Sequence, residues 1–231
     1  MDRGDKPDLY YSMFGVWLSK ALNLRETLDL FKQCMKNRCI TTRNPVDEFA
    51  LIVINNLLYG ENYKAPGIFA IVKILFKRGF YIDTSYRIFL FFLIIERSTW
   101  SKRILLPVAK LWLRFYNPDG EGPCTIMAAL AYARHRVGLA VIKEAGILLS
   151  FFEEGKGFKI FAHIGTGDLL STAVALFTLK VTGQDRRLVT PSCLELIRNN
   201  YESGAFLSGD GSHVRDLEYT FYGLLALGSV L

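Results

Sequence analysis

This chain has no long apolar run. The longest uninterrupted one, Ile88 to Ile95, has eight residues, against roughly 20 for a helix that crosses hydrocarbon, so no transmembrane insertion is expected. Cysteine is sparse: Cys34, Cys39, Cys124 and Cys193 are the only four in 231 residues and include no Cys-x-x-Cys pair. That excludes a disulfide scaffold and predicts four reduced thiols. Basic residues exceed acidic ones, 28 to 22, yet no block of five or six occurs, which argues against nucleic acid as a partner. The opening Met1 to Asp8 lacks the apolar core of a secretory signal, and a cytoplasmic location is expected. No phosphate-binding loop, His-Glu-x-x-His or Gly-x-Ser-x-Gly signature is present. What the chain has in excess is apolar surface, with 51% hydrophobic and 13% aromatic residues, enough for a large core or a large apolar cavity.

The chain also repeats itself. Asp8-Leu-Tyr-Tyr11-Ser-Met-Phe-Gly15 near one end matches Asp216-Leu-Glu-Tyr219-Thr-Phe-Tyr-Gly223 near the other. Weaker copies start at Asp47, Asp83, Glu121 and Asp168, giving six acidic anchors at successive spacings of 39, 36, 38, 47 and 48 residues. Such a period suits one helical hairpin per repeat.

Segments beginning at the anchors, such as Phe89 to Ile95 and Thr172 to Leu179, are apolar almost all round, the mark of a helix buried on every side. Between them lie one-sided segments: Leu24 to Met35, Pro66 to Lys77, Ser101 to Phe115, Leu139 to Phe152 and Pro191 to Tyr201. In the third, Ile104, Val108, Leu111, Trp112 and Phe115 make the apolar face. Thr190 before Pro191 reads as an N-cap followed by proline at the first helical position. Six buried helices alternating with about five amphipathic ones describe an all-α, (α/α)6 toroid over residues 1–231, a single domain with an inner and an outer ring. An open solenoid is the alternative, but it predicts atypical polar ends, whereas here the end repeats carry the strongest motif.

The anchored helices follow Gly-rich loops, as in Gly155-Lys-Gly-Phe158 and Gly204-Ala-Phe206-Leu-Ser-Gly-Asp210-Gly. In this they resemble the repeat of the prenyltransferase and squalene-cyclase superfamily. The resemblance covers nearly the whole chain and is most specific in the last 65 residues and from Asp8 to Leu18. It implies an α/α toroid whose apolar central cavity holds an isoprenoid chain. The zinc of protein prenyltransferases would require a Cys two residues after one anchor and a His three residues after the next. Those positions hold Tyr10, Phe49, Ser85, Pro123, Leu170 and Glu218, then Tyr11, Ala50, Tyr86, Cys124, Ser171 and Tyr219, so no cofactor is expected. A rim zinc on Cys124, His163, Asp168 and His213 is the weaker alternative. The Asp-x-Asp-Asp acid of the cyclases is absent.

Each anchoring acid has a plain role as a helix cap. A catalytic role would need an acid free of its cap, and Asp168 and Asp216, which follow the histidine-bearing loops, are the candidates. Tyr11, Tyr86 and Tyr219 share one repeat position and would wall an apolar site. Lys6, Arg43, Lys159, His163, His213 and Arg215 precede buried helices and would meet an anionic head group. The expected function is therefore binding of an isoprenoid or other apolar ligand. The alternative is a non-catalytic interaction module, in which a protein partner or a second copy covers a seam between the termini. A sugar- or peptide-processing toroid stands third, since fold does not fix function.

Overall fold

The computed structural model describes residues 8–37, 42, 44–64, 66–77, 83–97, 99–115, 122–163, 165–208 and 215–231. Among them are eleven α-helices and two short β-hairpins. The chain forms two compact units, Met1–Leu105 and Leu106–Leu231.

The first unit holds α1 (Leu9–Ala21), α2 (Arg25–Asn37), α3 (Pro45–Tyr59), α4 (Ile68–Leu75) and α5 (Asp83–Arg97). Helix α3 packs between α1 and α5; α2 leans on α1, and α4 on α3 and α5. The odd-numbered helices supply most of the core, with Ile71 and Ile74 added from α4. Val16 of α1, Phe49, Ala50 and Ile54 of α3 and Ile95 of α5 are fully enclosed. Burying each of the large side chains contributes about 1.5–3 kcal/mol. Asp8 starts α1: its backbone is extended and its Oδ1 accepts the N–H groups of Tyr10 (2.7 Å) and Tyr11 (3.2 Å). Two cations finish helices from outside. Lys20 Nζ donates to Leu57 O at 2.9 Å, and Arg87 Nη1 donates to Lys77 O at 2.5 Å, where carbonyls lack helical partners.

Helix α6 (Thr99–Phe115) crosses the division. The second unit continues with α7 (Cys124–Arg136), α8 (Ile142–Leu149), β1 (Phe152–Glu153), β2 (Gly157–Phe158), α9 (Leu169–Val181), α10 (Thr190–Asn199), β3 (Tyr201–Glu202), β4 (Ala205–Phe206) and α11 (Leu217–Val230). Helix α9 packs between α7 and α11, with α8 on α7 and α10 on α9 and α11. Ala128, Ala129, Ala131 and Ala133 of α7 are buried, as are Ala173 and Ala175 of α9. Small side chains here allow close packing of helix on helix.

All eleven helices fall on the segments expected from the apolar pattern, and their alternation of enclosed and one-sided faces recurs in each unit. None of the described helices is long and apolar enough to cross a membrane. Several local expectations need correction. The Gly-rich stretches before α9 and α11 are antiparallel hairpins rather than plain loops, pairing Glu153 with Gly157 and Glu202 with Ala205. The second turns on Ser203 and Gly204, both at positive φ (48° and 88°), the geometry of a two-residue hairpin turn. Helix α3 is capped by Asn44, whose Oδ1 accepts Asp47 N–H at 2.8 Å. Pro45 sets the first helical residue, so the Asp47 anchor lies inside the first turn. Thr190 begins α10 but is not its cap; its hydroxyl donates to Arg186 O at 2.9 Å. The apolar face expected to bury α6 points outward: Ile104, Val108, Leu111, Trp112 and Phe115 are exposed, while Leu105 and Leu113 are buried. The Glu121 anchor lies outside the described residues.

Each hairpin is keyed to the helix that follows. Phe158 N–H donates to Thr172 Oγ1 at 2.9 Å, and Phe206 lies over Gly223 of α11, where an added Cβ would enter the ring. Gly223→Ala is therefore expected to cost about 1–3 kcal/mol through overpacking. Gly228→Ala, in the same helix and with open space around it, is expected to be neutral or stabilising by up to about 1 kcal/mol. Urea denaturation of the two variants checks the contrast, and equal effects would remove the hairpin–helix key.

Candidate functional site

The expected site residues fall in both units. In the first, Tyr11 and Tyr86 are half-buried at the starts of α1 and α5. Tyr10, which repeat spacing did not single out, links the two helices. Its ring meets Tyr86 at 5.2 Å between centroids and nearly edge-on, with Phe14 at 4.9 Å and Tyr11 at 5.6 Å. Edge-to-face packing of this kind adds roughly 0.5–1.5 kcal/mol per pair beyond burial. The signal for Tyr10 was its place one helical turn before Phe14, on the same face. Farther along the same helices, the space bounded by Trp17, Val53, Asn56, Leu57, Leu93 and Ile94 is filled down to about 20 Å³, room for one water. The aromatic cluster is this unit's candidate contact surface.

In the second unit, Asp168 and Asp216 both cap helices. Asp168 Oδ2 accepts Ser171 N–H at 2.8 Å and Ser171 Oγ–H at 2.7 Å. Asp216 Oδ1 accepts Tyr219 N–H at 2.8 Å. Its Oδ2 is buried with no hydrogen-bond partner among the described residues. Of the two acids, Asp216 thus keeps an acceptor oxygen outside its cap. Tyr219 is half-buried and Arg215 exposed beside it. His163 is exposed, its ring 5.7 Å from that of Phe161. His213, Lys6 and Arg43 lie outside the described residues. Lys159 is held by Glu153 at 3.3 Å, and Glu153 also pairs with Lys156. These bonds pull the Glu153 carboxyl below its ordinary range, and they turn Lys159 toward the hairpin.

Cys124 opens α7 in the same neighbourhood. Its N–H donates to Ile160 O at 2.8 Å and its thiol points at Ser171 O at 3.8 Å. Burial, and secondarily the Asp168 charge, push the thiol well above its ordinary pKa. It stays protonated at neutral pH, whereas a metal ligand or nucleophile must be a thiolate. Among the described residues no three His, Cys, Asp or Glu side chains are grouped to hold a metal ion. In the second unit the acids thus serve first as helix caps, with Asp216 Oδ2 left over from its own. At the opposite ends of α9 and α11, an open cleft of about 410 Å³ is lined by Gln184, Asp185, Arg186, Arg187, Thr190, Pro191 and Val230. Its cations are engaged: Arg186 donates to Ser229 O and Arg187 pairs with Asp185 at 2.6 Å. That pairing depresses the Asp185 carboxyl to about 2.

Comparison with family models, with curated proteins and with solved structures finds no match to this chain.

Two outcomes test the structural assignments. Asp168→Ala is expected to lower stability by about 1–2 kcal/mol and Asp168→Asn by much less, because an amide oxygen still caps; chemical denaturation reads both. Burial also raises the Cys193 thiol to about 12. A group whose folded pKa is raised stabilises fully below its unfolded value and loses that contribution as pH climbs toward the folded value. Stability should therefore fall between about pH 9 and 12 with a slope component near 1.4 kcal/mol per pH unit. The Cys193→Ala variant should show a flatter curve over that window, and an unchanged slope would refute the assignment.

Proposed function

We propose that this chain is a prenyltransferase/squalene-cyclase-like α/α repeat protein. In this reading it binds an isoprenoid or another apolar ligand without performing the chemistry of that superfamily. The observation that carries the reading is the cluster of aromatic rings in which half-buried Tyr11 and Tyr86 and buried Phe14 gather around half-buried Tyr10, at the starts of two enclosed helices. Aromatic faces at a helix end offer apolar contact with a polar hydroxyl tip, as suits a hydrocarbon chain ending in a polar group. In the second unit Tyr219 is the equivalent position in the last repeat, and within that unit we assign His163, His213 and Arg215 to an anionic head group.

Two further features support the reading. The alternation of enclosed and one-sided helices in each unit is what a closed (α/α)6 toroid of this superfamily requires, and that closure is part of the proposal. The missing chemistry is supported by the cap on Asp168, whose Oδ2 holds both Ser171 donors, and by the protonated Cys124. A second reading, a non-catalytic interaction module, is favoured by the exposed apolar side chains of α6.

Melting of the purified chain with farnesyl or geranylgeranyl diphosphate separates the two. A ligand at about 100 times its Kd stabilises by about 2.7 kcal/mol, which for a chain of this size is a rise of roughly 5–10 °C. Tyr10→Ala combined with Tyr86→Ala is expected to abolish most of that rise. No rise at saturating ligand would favour the interaction module.

A further inference from the structure

Helix α6 presents three separate stripes of side chains. Leu105 and Leu113, 5% and 1% exposed, face the protein, and Arg134 Nη1 fastens this side by donating to Leu113 O at 3.2 Å. A second stripe is apolar and faces out. Val108 and Leu111 are each 62% exposed and Phe115 is 78% exposed, with Ile104 and Trp112 beside them at 48% and 42%. At 100° per residue this set spans about 100° of the helix surface. The third stripe is basic: Arg103, Lys110 and Arg114 are exposed and lie on one line along the flank of the apolar stripe. Thr99–Phe115 contains Lys102, Arg103, Lys110 and Arg114 and no acidic residue at all.

An ordinary surface helix turns charge to water and apolar side chains to the core. Here the core already has its own side of α6, and the remaining surface pairs aliphatic and aromatic side chains with positive charge that no acid of the helix offsets. That combination is complementary to one kind of surface, an apolar layer bordered by anions. We propose that α6 docks in the plane of an anionic lipid surface. Val108, Leu111 and Phe115 enter the boundary between head groups and acyl chains, and Arg103, Lys110 and Arg114 contact lipid phosphates and carboxylates. At a rise of 1.5 Å per residue the helix lays a strip about 25 Å long on that surface. The proposal goes beyond ligand binding and uses none of the tyrosines assigned to it.

Co-sedimentation of the intact chain with vesicles tests it. With vesicles of phosphatidylcholine containing about a third phosphatidylserine the chain is expected to pellet, at least about tenfold more strongly than with phosphatidylcholine alone, and less as salt rises. Arg103→Glu, Lys110→Glu and Arg114→Glu together should erase the preference for anionic vesicles, each costing about fivefold or more. Leu111→Glu with Phe115→Glu should abolish binding to either vesicle. Leu188→Glu, exposed elsewhere in the chain, should leave binding unchanged. Because every substituted side chain is exposed, circular dichroism and melting should match the parent. No pelleting with anionic vesicles, or undiminished pelleting of Leu111→Glu with Phe115→Glu, would overturn the proposal. So would binding to polyglutamate without vesicle binding, which assigns the stripe to an acidic protein. A concentration-dependent dimer dissolved by the same substitutions, again without vesicle binding, assigns it to a second copy and has the same effect.

Discussion

A helix enclosed on every side denies water to its first N–H groups, and each of those donors must then find an acceptor in the protein. In this chain the carboxylates of Asp8, Asp168 and Asp216 are among those acceptors for α1, α9 and α11. The hairpins and loops supply others. Phe158 O takes Asp168 N–H at 3.0 Å and Ile160 O takes Cys124 N–H at 2.8 Å. Leaving one such donor unpaired in the interior costs about 1–3 kcal/mol, comparable to a whole buried leucine. The repeat is thus anchored where it is because that is where burial creates the strongest need for a negative oxygen. At Asp168 that requirement occupies one oxygen twice over, by a backbone and a hydroxyl proton of Ser171, whereas Asp216 caps with Oδ1 and keeps Oδ2 outside its cap.

The other ends of the helices show the opposite sign. Lys20 reaches Leu57 O, Arg87 reaches Lys77 O, and Lys180 reaches Gly228 O at 2.7 Å, in each case a carbonyl at or just beyond the end of a neighbouring helix. Acid at the starts and cation at the ends complement the helix dipoles. Part of the chain's basic excess is consumed in this internal pairing. The cations of α6 are a different population. No acid shares their helix, and although Lys110 Nζ lies near Gly138 past the end of α7, the three are exposed and of uniform sign along one line.

Much of this was legible in the sequence, because an enclosed helix and a one-sided helix differ in composition before they differ in packing. Phe89 to Ile95 admits hardly any polar side chain, and the segment is buried on most sides in α5. Other features depend on partners that a local pattern does not name. Gly155 and Gly204 announce a change of direction, but whether the flanking residues pair as strands is decided by what they pack on, here Thr172 and Gly223. Asn44 and Asp47 are both good caps, and the proline between them decides in favour of Asn44 by placing the first helical residue at 45. Tyr10 looked like filler between anchor and motif, and became the bridge to Tyr86 only when α1 and α5 came within reach of one another. For α6, periodicity located the apolar stripe correctly; it did not tell whether the fold would cover it.

That last ambiguity bears on how an apolar ligand would be met at all. A hydrocarbon chain of isoprenoid length gains about 0.8 kcal/mol per CH₂ on leaving water, so at equilibrium it resides in membranes rather than in solution. A protein that takes such a ligand from water works against its scarcity there, whereas one that rests on a lipid surface meets the ligand where it is concentrated. Docking has to be reversible for this to operate. One amphipathic helix with three exposed cations is suited to that, since a single modest anchor gives marginal membrane binding and stable residence takes a second signal. The two proposals therefore require each other less than they explain each other. In the two proposals the aromatic cluster would account for what is held and α6 for where it is met, and each rests on side chains the other does not use.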